Sequence, residues 1–421
     1  MKKSQYPLEA DLGMEYYVSD TPGIGGRLRS SAEDFVVEEI PVELPEGGPY
    51  LICRLEKKDW ELQHAVKEIA KRLGISHRRI GWAGTKDRHA VTTQRISIYN
   101  GDEEKVREIR LKDISIEVLG HSREPLTLGS LKGNRFDIVI RELQQADTGA
   151  QMEVVGELAK QGLPNYYGIQ RFGVVRPLTH TMGELILTGD FEQAAMTYIG
   201  LAFPDEPAET GEIRRSFYET RDVREALHRF PLSLSYERSM LHHLMTSPGD
   251  YPGALKVLPP KLLSMFVSAF QSWLFNMALS ARIADGIGFS DPIPGDSLIF
   301  ENGREDMVTV QNRDIAARHI ERGRCRIAIH MPGSRKETRE RSGAVIEDLL
   351  SRRNIGAENF KTAQEFVRTK FEGALRPVSL NTEVVGTFSN ESARLVFELP
   401  PGHYATTVCR EYMKADPLKM I

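Results

Sequence analysis

The sequence predicts an α+β protein whose sheet is built from both ends of the chain. Three observations carry that expectation. Short β-prone runs mixed with helices fill residues 26–161, helical patterns dominate after about residue 190, and strand signals resume at Pro377. A β-type start, a different middle and a β-type end describe one domain set into the sheet of another. The expected division is a discontinuous domain over residues 1–190 and 373–421, with an inserted α/β domain over 191–372. A chain of 421 residues has room for it, since domains take roughly 100–200 residues each.

The elements follow in order. Residues 26–40 read as a strand pair around a turn, with Phe35, Val36 and Val37 as β-prone residues and 30–34 as the turn. Residues 61–73 read as a helix, because Leu62, Ala65, Val66, Ile69, Ala70 and Leu73 recur at helical spacing. Asp59 is its candidate N-cap and Gly74 its stop. Residues 79–83, 92–99, 114–119 and 135–140 read as strands, and Gly149–Gln161 as a helix. Beyond residue 190 the strongest helix covers 261–283, residues 291–330 turn β-like, and 334–341 form a charged loop. A helical pattern returns over 347–371, and 377–411 reads as strand, including a turn and strand over 399–411. There is no internal repeat and no low-complexity segment.

Composition narrows the function. The chain is 40% hydrophobic and 27% charged, as ordinary globular proteins are. No uninterrupted run of 18 apolar residues occurs, so no membrane-spanning helix is expected, and the first residues lack the apolar stretch of a secretory signal. Cys53, Cys325 and Cys409 lie far apart, which argues against a disulfide framework or a zinc site and for a reducing cytoplasm. The net charge of −4 hides an asymmetry: residues 57–95 carry ten Lys/Arg against four acids, whereas residues 1–50 carry four against ten. Nucleic-acid binding depends on such a local patch, here with Trp60, His77 and Trp82 interleaved.

Within that patch lies Gly81-Trp82-Ala83-Gly84-Thr85-Lys86-Asp87-Arg88-His89-Ala90-Val91-Thr92-Thr93-Gln94. It places one carboxylate, Asp87, between two cations, Lys86 and Arg88. A nearby opposite charge favours the ionised carboxylate that a nucleophile or general base needs. Taken alone, the segment reads more readily as a solvated turn with surface ion pairs. A second stretch, Pro164-Asn165-Tyr166-Tyr167-Gly168-Ile169-Gln170-Arg171-Phe172-Gly173, combines aromatics, amides and glycines. Aromatics can stack on an unpaired base and amides can read its edge, although a turn with half-buried tyrosines has the same composition. A third, residues 399–411, holds His403 on a turn. The patterns of phosphate loops, nucleophile elbows, HExxH metalloproteases and zinc deaminases are missing from the sequence.

These residues together resemble the D family of tRNA pseudouridine synthases, the group named for its tRNA uridine-13 enzyme. Gly84-Thr85-Lys86-Asp87-Arg88, with Ala90-Val91-Thr92 and Gln94, looks like the family's catalytic motif, whose Asp is the catalytic residue. Asn165-Tyr166-Tyr167-Gly168 with Gln170-Arg171-Phe172-Gly173 looks like its second motif. Arg29-Ser30-Ser31-Ala32-Glu33-Asp34-Phe35 is similar to an N-terminal motif that usually begins with Lys. Residues 129–136, 270–276 and 399–411 resemble further signatures, all in family order. Two positions depart from the pattern: Tyr167 stands where Phe is usual, and Arg29 where Lys is usual.

The resemblance implies an antiparallel-sheet pseudouridine synthase domain with a family-specific insertion. It implies uridine isomerisation in tRNA, at position 13, without metal or cofactor, in the cytoplasm. Asp87 would be the catalytic residue, acting at C1′ as nucleophile or at C2′ as base. Arg29, Lys86, Arg88, Asn165 and Tyr167 would bind substrate or support Asp87, and which cation pairs with Asp87 stays open. Two competing readings are a non-catalytic RNA-binding module and a hydrolase using Asp87. The latter requires a second carboxylate, for which Glu33 and Asp34 are the candidates.

Overall fold

The computed structural model describes residues 1–144, 149–335, 343–389 and 391–420. Of the charged loop expected at 334–341, residues 336–341 lie outside them. The chain divides into two compact units: a sheet unit of Val18–Leu163 and Leu380–Ile421, and a helical unit of Lys3–Tyr17 and Pro164–Ser379. The fold is α+β, as expected, but this division differs from the one expected at 190 and 372. The helix Thr179–Thr188 shows why. It packs against the long helix Pro260–Ala284 so closely that a Cβ on Gly183 would lie 2.1 Å from the Phe266 carbonyl oxygen. Packing therefore begins before the composition changes.

The sheet unit contains nine strands among the described residues. We number them β1 Gly25–Arg27, β2 Phe35–Pro41, β3 Glu46–Lys58, β4 Ile80–Trp82, β5 Val91–Tyr99, β6 Ile114–Ser122, β7 Leu131–Leu143, β8 Val385–Phe388 and β9 Ser392–Leu399. Their order is β8-β9-β7-β2-β5-β3-β6, with β1 on β7 and β4 on β5. Every pair is antiparallel except β2 with β5, where Val36 faces Val91 in parallel. β1 and β2 do not form the expected strand pair. They lie end to end along β7, β1 at Leu143 and Arg141 and β2 from Ile138 onward.

β3 is the strand that sequence patterning did not assign. It opens on Glu46-Gly47-Gly48-Pro49, a turn-like composition, yet continues as the strand between β5 and β6. Helix α1, Leu62–Leu73, buries Leu62, Val66, Ile69 and Leu73 against Leu51, Cys53 and Leu55 of β3 and Ile96 and Ile98 of β5. Its N-cap is Glu61 rather than Asp59, since the Glu61 carboxylate accepts the Gln63 and His64 amides. Gly74, at φ +66°, ends the helix in a left-handed turn.

Residues 405–413 are a helix, α2, and not the strand expected there. Thr406, Thr407 and Val408 are β-branched and favour strands by propensity. All nine residues of α2 are buried, and tertiary packing overrides that preference. The Glu411 carboxylate pairs with Arg410 at 3.1 Å and accepts the Val18 amide at 2.7 Å. A helix also interrupts the region expected to be β-like, at Arg313–Glu321.

The helical unit is organised by Pro260–Ala284, whose buried residues include Leu263, Phe266, Phe270, Leu274, Phe275 and Leu279. Among the described helices this one alone is long and apolar enough to cross a membrane, and 72% of its apolar window is buried within the protein. Its Asn276 amide group donates to the Leu12 and Tyr167 carbonyls, and its Trp273 indole donates to the Asp11 carbonyl at 3.0 Å.

Candidate active site

Asp87 lies on the loop between β4 and β5, residues 83–90, which is fastened at several points. The Gly129 amide donates to the Ala83 carbonyl at 2.8 Å, and the Asp59 amide to Ala90 at 3.3 Å. The Gln94 side chain on β5 donates to the Gly84 carbonyl at 3.1 Å. Gly81 in β4 has no room for a side chain: a Cβ would lie 2.4 Å from the Leu126 carbonyl oxygen. The connection between β6 and β7 thus presses directly on the segment that leads into the loop.

The Asp87 carboxylate is 43% exposed, while its partner Arg29 is 7% exposed. The Arg29 Nη2 donates to Asp87 Oδ1 at 3.0 Å, and Nη1 donates to the Met420 carbonyl at 3.1 Å. The guanidinium carbon stands 3.8 Å from the centre of the Phe35 ring. Arg29 itself adopts φ +54°, a left-handed conformation that costs a non-glycine residue free energy and recurs at functional sites. A capping box stabilises the turn that follows: the Asp34 carboxylate accepts the Ser31 amide at 3.0 Å. The cation that pairs with Asp87 is therefore Arg29, from a different strand connection.

The two cations flanking Asp87 do other things. Lys86 is buried, and its Nζ pairs at 3.1 Å with Glu39 on β2, whose other oxygen accepts the Arg95 amide. It faces neither Asp87 nor solvent. Arg88 is exposed, and its side chain makes no hydrogen bond or ion pair among the described residues. Lys57, at the end of β3, was not singled out as a functional candidate. Its buried Nζ donates to the Asp87 main-chain carbonyl at 2.8 Å. Burial pushes the Lys57 ammonium down to about 8, with the Asp87 charge opposing that shift. Nothing but its position in the cationic run marked it, because β3 itself was not recognised.

Glu33 and Asp34 both have partners. Asp34 is buried and paired with Arg141, which holds its carboxyl below the usual carboxylate range. Glu33 pairs with Lys58, which lowers it likewise. A general acid for glycoside cleavage needs the opposite shift.

Asn165 and Tyr167 belong to the helical unit. Asn165 is fully buried: its Nδ2 donates to the Pro377 carbonyl at 2.8 Å, and its Oδ1 accepts from Arg376 Nη2 at 2.8 Å. Arg376 in turn lies 3.9 Å from the centre of the Tyr167 ring, and Phe275 meets that ring edge-on at 5.6 Å. Asn165 thus sets Arg376, and Arg376 backs the ring. The Tyr167 hydroxyl, extra relative to Phe, reaches the Met331 sulfur at 3.5 Å. His403 stays on its turn, with Nδ1 3.2 Å from the Pro401 carbonyl oxygen.

Residues 11–412 match the family model for tRNA pseudouridine synthase D. The "Probable tRNA pseudouridine synthase D" of Methanosarcina acetivorans is 41% identical over 98% of both chains. The protein of that name from Halobacterium salinarum is 38% identical over 99% of this chain and 100% of its own. A crystal structure of a tRNA pseudouridine synthase D from Methanosarcina mazei superposes with a TM-score of 0.83 at 38% identity, covering 99% of this chain and 100% of that one.

Proposed function

We infer that Asp87 is the catalytic residue of this chain, which belongs to the tRNA pseudouridine synthase D family, an isomerase family. The substrate is uridine in tRNA, and the position is uridine 13. The observation that carries the assignment is the pairing of a half-exposed carboxylate with a buried, doubly bonded guanidinium. An exposed reactive oxygen held by an immobile partner is how an enzyme keeps a small nucleophile or base aimed.

The reaction breaks the N1–C1′ bond and joins C5 to C1′. The C5 proton leaves to solvent and N1 takes one up, so base and sugar remain together throughout. Asp87 either attacks C1′ or removes the C2′ proton, and both roles use the ionised carboxylate. The uridine must leave its stack for the sugar carbon to be reached. Tyr167 is the residue we assign to stacking on the extruded uracil. Asn165 supports that ring through Arg376, without meeting the base itself.

Phosphate contacts fall to fewer cations than the ten of residues 57–95. Lys57 and Lys86 are buried, Lys58 pairs with Glu33, and Arg79 donates to the Tyr99 carbonyl. Lys67, Lys71 and Arg72 on α1, with Arg78 and Arg88, are exposed and form no ion pair among the described residues. They are the groups available for the backbone of a tRNA. Cys53, Cys325 and Cys409 are buried free thiols, in keeping with a cytoplasmic location.

The test is tritium release from tRNA labelled at uracil C5, wild type against Asp87→Ala, with pseudouridine mapped in the product. Release only from wild type, with the product at position 13, is the expected result. Equal release would remove Asp87 from the chemistry. Tight tRNA binding by the wild type without release would instead identify an RNA-binding module.

A further inference from the structure

We propose that Lys57 is a positioning residue for Asp87, holding the catalytic loop by its main chain while Arg29 holds the side chain. The inference rests on the assignment of Asp87 as the catalytic residue.

The argument begins with where Lys57 lies. It is the penultimate residue of β3, directly opposite Thr92 on β5 and Ile114 on β6. Its side chain shares a face with Leu55, so a core position at the end of the strand is occupied by an ammonium instead of an apolar group. Lys57 is 1% exposed and has no carboxylate within ion-pair distance among the described residues. Burying a charge in this way is unfavourable unless the charge is used. The contact that uses it is the carbonyl of Asp87 itself, at 2.8 Å.

That contact does something Arg29 cannot. Arg29 fixes one carboxylate oxygen but leaves the Asp87 backbone free to shift beneath it. Lys57 fixes the peptide oxygen of the same residue from below the loop. Gln94 fixes the Gly84 carbonyl from the neighbouring strand, and the Lys86–Glu39 pair draws the intervening residue down into the sheet. The loop is therefore sewn to three strands, β2, β3 and β5, with Lys57 supplying the stitch at the reacting residue. Lys57 touches no substrate in this arrangement, and its effect passes entirely through Asp87.

The experiment compares Lys57→Met and Asp87→Asn with wild type in steady-state pseudouridine formation, alongside thermal melting. Methionine keeps the length and apolar stem of the side chain and removes the ammonium. Misplacing a catalytic group by about an ångström costs up to about a hundredfold in rate. The expected result is a ten- to hundredfold fall in kcat, with KM for tRNA within about twofold and a melting temperature no lower than wild type. A purely structural role would lower the melting temperature or raise KM and leave kcat alone. Wild-type kcat in Lys57→Met, with Asp87→Asn inactive, overturns the inference by itself. Wild-type turnover in Asp87→Asn overturns the catalytic assignment and the inference together. If Lys57→Met does not fold, Lys57→Gln replaces it. Its amide keeps a polar group but is too short to reach the Asp87 carbonyl, so the same kcat loss is expected and its absence is equally decisive.

Discussion

Arg29 offers a perturbation whose stability effect and catalytic effect separate cleanly. Truncation to Ala removes three interactions. The stacking on Phe35 contributes about 1–2 kcal/mol where desolvated, and the charged hydrogen bond to the Met420 carbonyl about 1.5–3 kcal/mol. The ion pair with Asp87 adds at most about 1 kcal/mol, since that carboxylate is 43% exposed and screened by solvent. Arg29→Ala should therefore destabilise the sheet unit by about 2.5–6 kcal/mol. Arg29→Gly loses the same contacts, but at φ +54° glycine escapes the left-handed penalty and should regain about 1 kcal/mol. In a domain of this size that is about 2–4 °C of melting temperature. Turnover should behave differently. Both variants leave the Asp87 carboxylate equally unheld, so both should lose about a hundredfold in kcat. The assay pairs a thermal melt followed by circular dichroism with pseudouridine formation at saturating tRNA. A glycine variant no more stable than the alanine variant would refute the backbone argument. Wild-type kcat in either would refute the pairing as a requirement for catalysis.

Two further outcomes follow from the same structure. Replacing Lys67, Arg72 or Arg78 by Gln should lower the slope of log affinity against log salt by about 1 each if that residue meets a phosphate; filter binding across a salt series measures it, with kcat unchanged at saturation. His180 is packed between Phe172 and Trp273, and burial, with Arg353 nearby, pushes it down to about 4 from an ordinary value near 6.5. Between those values the unfolded chain binds a proton that the folded chain does not, so stability falls as pH drops from 6.5 towards 4. His180→Phe should flatten that part of a denaturant-derived stability profile, and an unchanged slope would exclude His180 as its source.

The parts of the fold legible in the sequence were those whose local signals agree with their environment. Helix α1 is one, with its apolar spacing and Gly74 stop; strands β5 and β6 are others. The misreadings share a cause, namely that long-range packing outweighed local preference. β3 begins on glycines, and α2 is β-branched yet fully buried. β1 and β2 suggested a hairpin but share β7 instead. In the candidate site, Asp87 stands out in the sequence because charge and glycine cluster around it. Of its partners, Arg29 entered only through the family resemblance, beside Lys86 and Arg88, and Lys57 carried no signal of its own. Sequence adjacency favoured Lys86 and Arg88, whereas Arg29 and Lys57 arrive from residues far away along the chain. On an extended backbone successive side chains point to opposite sides, so sequence neighbours are poor candidates for the partner.

The Arg29 contact with the Met420 carbonyl ties the site to the order of synthesis. The ribosome finishes β1 to β7 and then spends Pro164–Ser379 on the other unit before β9 can pair with β7 along eight residues. At about 5–20 residues per second that interval is on the order of ten to forty seconds. Throughout it the nascent sheet has an open edge at β7, and Arg29 lacks the carbonyl that steadies it. A chain released before residue 420 would hold the loop of Asp87 but not the backing of its partner, so translation through Met420 becomes a built-in check before any tRNA is modified.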